Sequence, residues 1–138
     1  APLAGGCGAG RAGVFRGGGP ASVGATGIED ALPRHGLRFA ERILDVTERA
    51  AFHAAPAPAR FLAKRFAAKE AFGKALGTGV AVPATLHALR VGHDALGKPL
   101  FEYSPGLADY MAERGLSAHL SLSDEADYVV AFAVIEKP

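Results

Sequence analysis

Two stretches of the chain carry residue types at spacings that could do chemistry. The first is Gly8 to Gly13, "GAGRAG", whose Gly-x-Gly-x-x-Gly spacing would cradle a pyrophosphate if a buried strand led into it and a helix followed. Only "APLAGGC" precedes it, and Asp30, the acidic residue nearest the expected position about 20 residues on, follows no strand. The glycines therefore read as part of a glycine-rich run, and a P-loop is excluded because its lysine is missing. The second stretch is "ARFLAKRFAAKEAFGKALGTG", Ala59 to Gly79. At about 100° per residue, Phe61, Leu62, Phe66, Phe72 and Leu76 share one face of a helix that Gly77 and Gly79 stop. Arg65 and Lys69 project into that apolar face, where an unpaired charge costs several kcal/mol, so each must reach a partner, an anion or the surface. Glu70 and Lys74 lie one turn apart on another stripe with Ala63 and Ala67, whose small side chains let something bulky approach. A carboxylate there suits a hard cation, and the ammonium and guanidinium groups suit phosphate. The same two residues also read as an ordinary i,i+4 ion pair, and the residues alone leave both readings open.

The chain must fold around that helix with one core. Its 138 residues, 49% hydrophobic and 21% charged, suffice for one domain and are too few for two. Fifteen Lys and Arg against fourteen Asp and Glu leave a net charge of +1, so no global field draws the chain to nucleic acid or an anionic membrane. The single cysteine, Cys7, excludes an internal disulfide and any thiolate metal site. No apolar run approaches the roughly 18 residues of a membrane span, and no signal-peptide pattern opens the chain, which sets the expectation of a soluble, cytoplasmic protein. Ten of the eighteen glycines fall at or before Gly27, where there is no acidic residue and no lysine. Residues 1–27 are accordingly expected to be mostly without regular structure, with one short ordered piece near their end, and the folded domain to run from 28 to 138.

From Ile28 the periodicity turns helical, with Ile28, Leu32, Phe39, Ile43 and Leu44 at helix spacing and a break at Gly36. Arg34, Arg38 and Arg42 recur every four residues as a basic stripe, which by itself reads as a solvated helix face. Thr47 is placed to cap a short helix that Pro56 and Pro58 end. Beyond the long helix, "LHALRVG" and "PLFEY" flank the turn residues Asp94, Gly97 and Pro99 and form a hairpin. Ser104 and Pro105 start a short helix that Gly115 stops. Two strands close the chain. "SAHLSLS" alternates dry and polar residues, whereas "YVVAFAVIE" is apolar on both sides, as expected of a central strand covered on both faces. The fold class is α+β, an antiparallel sheet packed by the long Ala59–Leu76 helix.

"RFLAKRFAAKEAFGKALGTG", then "HDALGKP" and "HLSLSDEADYVVAFAVIE", together resemble the bacterial holo-acyl-carrier-protein synthase family of phosphopantetheinyl transferases, from about Ile28 to Glu136. The resemblance implies a magnesium-dependent transfer of the phosphopantetheine arm of coenzyme A to a serine of apo-acyl carrier protein, a step of fatty acid biosynthesis, by a homotrimer with active sites between subunits. It places Glu70 on the Mg2+ ion, makes Glu70 and Lys74 the catalytic pair, and has Lys74 neutralise charge on the pyrophosphate. Arg65 and Lys69 become phosphate-side or adenine-side contacts of coenzyme A, or else structural ion pairs. Gly97, Lys98, Pro99, Ser123 and Asp124 line its pocket, and Arg38 and Arg42 pair with an acidic carrier protein.

In one place the chain departs from that family. The family opens with a strand Gly-[Ile/Leu]-Gly-x-Asp-[Ile/Leu], whose Asp is the second protein ligand of the metal. Counting back from "IED" puts that position at Ala21, and "GGGPASVGATG" around it holds no acidic residue. Loss of one of two ligands implies weak metal binding and a slow reaction, and loss of the strand exposes a sheet edge. Two explanations compete: a frame or start error upstream of Ile28, or a catalytically impaired paralogue that binds coenzyme A or carrier protein without turnover.

Overall fold

The computed structural model describes residues 14–24 and 37–138. In chain order the elements are β1 (Val14–Gly24), α1 (residues 37–43), α2 (Val46–Ala54), α3 (Pro58–Leu76), a 3-10 turn (Leu86–Ala88), β2 (Leu89–His93), β3 (Pro99–Tyr103), α4 (Pro105–Glu113), β4 (Ser117–Asp124) and β5 (Tyr128–Lys137). β1, β5 and β4 form an antiparallel sheet in that order, and β2 and β3 form a separate hairpin.

Alternation along β5 decides where α3 sits. Val129, Ala131, Ala133 and Ile135 are buried, every second residue, and they meet the buried Leu62, Ala63, Ala67, Ala71, Phe72 and Ala75 of α3. Small residues on both sides let helix and sheet approach closely. Phe72 ties the hairpin to the same core through an edge contact with Phe101, at 4.9 Å between ring centres, and a tilted one with Tyr103, at 5.8 Å. Burial of Tyr103 pushes its hydroxyl up to about 12. The long helix is ended by Gly77, in the left-handed region at φ 93°, whose N–H donates back to Gly73 and Lys74.

The hairpin, the Pro105–Glu113 helix and the closing strand pair stand where the periodicity puts them. Four expectations are corrected. The strand β1 occupies much of the run expected to lack structure before Ile28. Its backbone pairs along nearly its whole length with β5, from Val14 opposite Lys137 to Gly24 opposite Tyr128, so the ordering cost is offset by a ladder that composition does not reveal. The cap of α2 is Asp45, not Thr47: its carboxylate accepts from Thr47 N and Glu48 N, and the Glu48 side chain returns to Asp45 N in a capping box. α3 starts one residue earlier, at Pro58, whose missing N–H costs nothing in a first turn. Finally, β5 is central but covered on one face only; Tyr128 and Phe132 of the other face are 46% and 37% exposed. The glycine motif at Gly8–Gly13, the helix start at Ile28 and Arg34 lie outside the described residues.

Candidate functional site

Helix α3 is the element on which candidate groups converge. Glu70 is half-buried on it, and its carboxylate makes no hydrogen bond or ion pair among the described residues. It is not in an ion pair with Lys74, which stands exposed one turn on. An unengaged, half-dry carboxylate is what a hard cation needs from a protein that supplies one ligand and leaves the remaining positions to phosphate oxygens and water. The donor set therefore fits a magnesium ion sparsely, through Glu70 alone, and no group of three or more metal-binding side chains occurs among the described residues.

Gly17 and Ala21 are four residues apart on β1, past the irregularity between Phe15 and Gly17, so they share a face. A Cβ on Gly17 would strike the Ala75 carbonyl of α3 at 2.3 Å, and Ala21 is 4% exposed. The position to which the resemblance assigns an Asp thus lies on the side of β1 that faces the helix carrying Glu70, and it holds a methyl group.

The two cations inside the apolar face of α3 have found a protein partner. Lys69 is 1% exposed, and its ammonium donates to Ile43 O (2.6 Å), Glu48 Oε1 (2.7 Å) and Leu86 O (2.9 Å), which uses all three protons. Burial pushes Lys69 below its ordinary value, and the Glu48 carboxylate opposes that shift. Arg65 donates to Glu48 Oε2 (3.3 Å) and to the Val91 carbonyl, and its guanidinium lies 4.4 Å over the Phe61 ring. Of the two readings of Arg65 and Lys69, coenzyme A contacts or structural ion pairs, the ion pairs with Glu48 are present for both. A buried ammonium with no proton to spare has nothing to offer a phosphate. Glu48 was not anticipated as their partner, although the D-x-x-E spacing from Asp45 marks it as a capping residue.

Asp124 ends β4, exposed beside Ser123, whose hydroxyl donates to Glu125 Oε2 at 2.7 Å. Its carboxylate pairs with Lys64 (2.9 Å) and Arg60, and Arg60 also reaches the Ala126 carbonyl. Arg60 and Lys64 thus neutralise Asp124; their i,i+4 spacing on α3 was the available signal. The Lys64 hydrogen bond, opposed by slight burial and reinforced by the charges of Lys64 and Arg60, holds Asp124 below the ordinary carboxylate range. A depressed folded value contributes stability that is complete above the unfolded value near 3.8 and lost as pH falls through the lower folded value. With the Asp124 side chain 43% exposed, solvent screening limits this to about 0.5 kcal/mol. Urea unfolding of Asp124→Asn is expected to differ from the unsubstituted chain by no more than that at neutral pH, and the difference is expected to vanish once the pH has fallen through the lowered folded value; a deficit that persists when Asp124 is protonated would contradict the ion-pair account.

Gly97, Lys98 and Pro99 lie in the β2–β3 turn. Asp94 shapes it by accepting from Leu96 N and Lys98 N, both at 2.9 Å, and Gly97 takes φ 86°. No hydrogen bond or ion pair joins this turn to α3 among the described residues. Arg38 and Arg42 are exposed on α1, and Arg42 edges a shallow hollow of about 410 Å³ lined also by Val80, Thr85, Leu86 and His87. No helix of the described residues is long and apolar enough to cross a membrane.

The 4'-phosphopantetheinyl transferase superfamily profile matches residues 26–133. The chain is 72% identical over 109 residues to the holo-[acyl-carrier-protein] synthase of Azoarcus sp. strain BH72, covering 79% of this chain and 87% of that protein. It is 70% identical over 110 residues to the synthase of Aromatoleum aromaticum, covering 80% and 88%. Among solved structures it resembles the holo-[acyl-carrier-protein] synthase of Neisseria meningitidis, with TM-score 0.84 and 45% identity over 88% of this chain and 98% of that one. It also resembles the Bacillus anthracis synthase in complex with CoA (3',5'-ADP), with TM-score 0.76 and 32% identity over 90% and 98%.

Proposed function

Because the chain belongs to the 4'-phosphopantetheinyl transferase superfamily, we propose that it transfers the phosphopantetheine arm of coenzyme A to a serine of apo-acyl carrier protein, in the cytoplasm and in the service of fatty acid biosynthesis. The observation that carries this is the 72% identity to a holo-[acyl-carrier-protein] synthase. The serine oxygen bonds to the pantetheine-side phosphorus, the pyrophosphate bridge bond to that phosphorus breaks, adenosine 3',5'-bisphosphate leaves, and the serine proton passes to solvent. Glu70 would hold Mg2+, which when bound withdraws charge from the phosphoryl oxygens. Lys74, exposed on the last turn of α3, stabilises the negative charge that builds on the leaving phosphate. Arg38 and Arg42 seat the acidic carrier protein. The apolar outer face of β5, with Tyr128 and Phe132 exposed, supports a homotrimer in which the Gly97–Pro99 turn and Ser123 of one copy serve the site of the next.

Incubation of the chain with apo-carrier protein, coenzyme A and magnesium, read by mass spectrometry, tests the proposal. Mass gain on the carrier serine that is lost on Glu70→Ala is expected; no gain, with coenzyme A still bound, selects the second reading. That reading, a binding protein of greatly reduced turnover, is favoured by Ala21, since a methyl group cannot ligate a metal.

A further inference from the structure

Lys69 joins the carrier-binding helix to the helix that bears Glu70, at the residue next to Glu70. Its ammonium donates to the carbonyl of Ile43, the last residue of α1, and to the Leu86 carbonyl before β2. A C-terminal helix carbonyl has no intrahelical partner, and a cation there also meets the negative end of the helix dipole. Glu48 completes the joint from α2. One of its oxygens takes Asp45 N–H and Lys69; the other takes Val91 N–H (3.0 Å) and Arg65. Two side chains, 4% and 1% exposed, thereby bind the ends of α1 and α2, the middle of α3 and strand β2.

The energetics say what such a joint is for. Taking two charges out of water costs about as much as their attraction returns, and an apolar or neutral pair of the same shape is often no less stable. What the charged pair supplies is direction: four donors and four acceptors permit one placement of α1 on α3, where apolar contacts would tolerate sliding. We infer that Glu48 and Lys69 are positioning residues for the transfer, fixing the basic helix relative to Glu70 so that a carrier protein seated on Arg38 and Arg42 presents its serine at the reacting phosphorus. The inference rests on the transferase reading given above.

The test is the neutral, nearly isosteric double variant Glu48→Gln/Lys69→Met, which leaves neither Glu48 nor Lys69 charged and buried alone; Arg65 keeps as acceptors the Val91 carbonyl, the Phe61 ring and the amide oxygen that Glu48→Gln introduces. Three measurements are made: the KM and kcat for carrier protein, the Kd for coenzyme A, and amide hydrogen exchange along α1 and α3. Expected are a kcat at least about tenfold lower, a KM and Kd within about threefold of the unsubstituted chain, and faster exchange in residues 37–43 while α3 keeps its protection. A merely structural role would lower the folded fraction and move all elements together. An unchanged kcat in the folded double variant, or exchange in residues 37–43 that does not change, overturns the inference. If the unsubstituted chain shows no transfer at all, the transferase reading fails, and the exchange result still decides whether the joint positions α1.

Discussion

An Ala21→Asp variant is expected to transfer phosphopantetheine at least about a hundredfold faster than the chain with alanine there, at saturating magnesium. The position lies on the α3-facing side of β1 and is 4% exposed. On the transferase reading a carboxylate there would add a second protein ligand to the one supplied by Glu70, and a better-held Lewis acid would be worth several kcal/mol of transition-state stabilisation, with about 1.4 kcal/mol for each factor of ten. The same substitution has an opposite effect without the metal. A buried, unpaired carboxylate costs about 2 kcal/mol or more, so the variant should melt below the unsubstituted chain in chelator and recover as magnesium is added, because a ligand that binds only the folded state stabilises it. Thermal melting with and without magnesium, beside mass spectrometry of the carrier protein, checks both. A variant whose rate is unchanged and whose melting ignores magnesium would show that position 21 is not a metal ligand.

Lys69→Ala alone is expected to cost about 3–5 kcal/mol of stability, because it strands the Glu48 carboxylate inside the protein. Only Arg65, at 3.3 Å, and two backbone N–H groups would remain on Glu48, and the Ile43 and Leu86 carbonyls would lose their shared donor. Glu48→Gln introduced into that background should recover much of the loss, since the coupling between partners in contact appears as non-additivity in a double-mutant cycle. Denaturant titration of the four chains measures it. A loss below about 1 kcal/mol for Lys69→Ala would mean that water enters and hydrates Glu48.

Most of the scaffold is legible in the sequence because it is written in periodicity. The apolar positions of α3, the alternation of β4 and the Asp94–Gly97 turn each follow from spacing and turn chemistry. The presence of a problem at Arg65 and Lys69 was legible too, as two charges on a dry face. Its solution was not: Glu48 lies 17 and 21 residues away in the chain, and local pattern carries no information about which distant carboxylate closes a pair. The second face of β5 reads as buried for a related reason. Hydrophobicity along a strand records that a face is covered, and says nothing of whether the cover belongs to the same chain. β1 was missed because its order comes from main-chain pairing with β5, to which glycine contributes as fully as valine.

That last property has a consequence for how this protein would be judged at the bench. The β1 sequence contains three successive glycines and a proline, yet it completes the β1-β5-β4 edge residue by residue. An edge strand is accepted on the strength of its carbonyls and of the amide N–H groups that every residue but Pro20 supplies, whereas a reaction reads the one side chain the backbone happens to carry. Circular dichroism, a sharp melting curve and a sound crystal would all therefore certify a chain with alanine at position 21 as native. Here quality control without added metal and function inspect different atoms: turnover, or melting in the presence of magnesium, reports on the side chain at position 21.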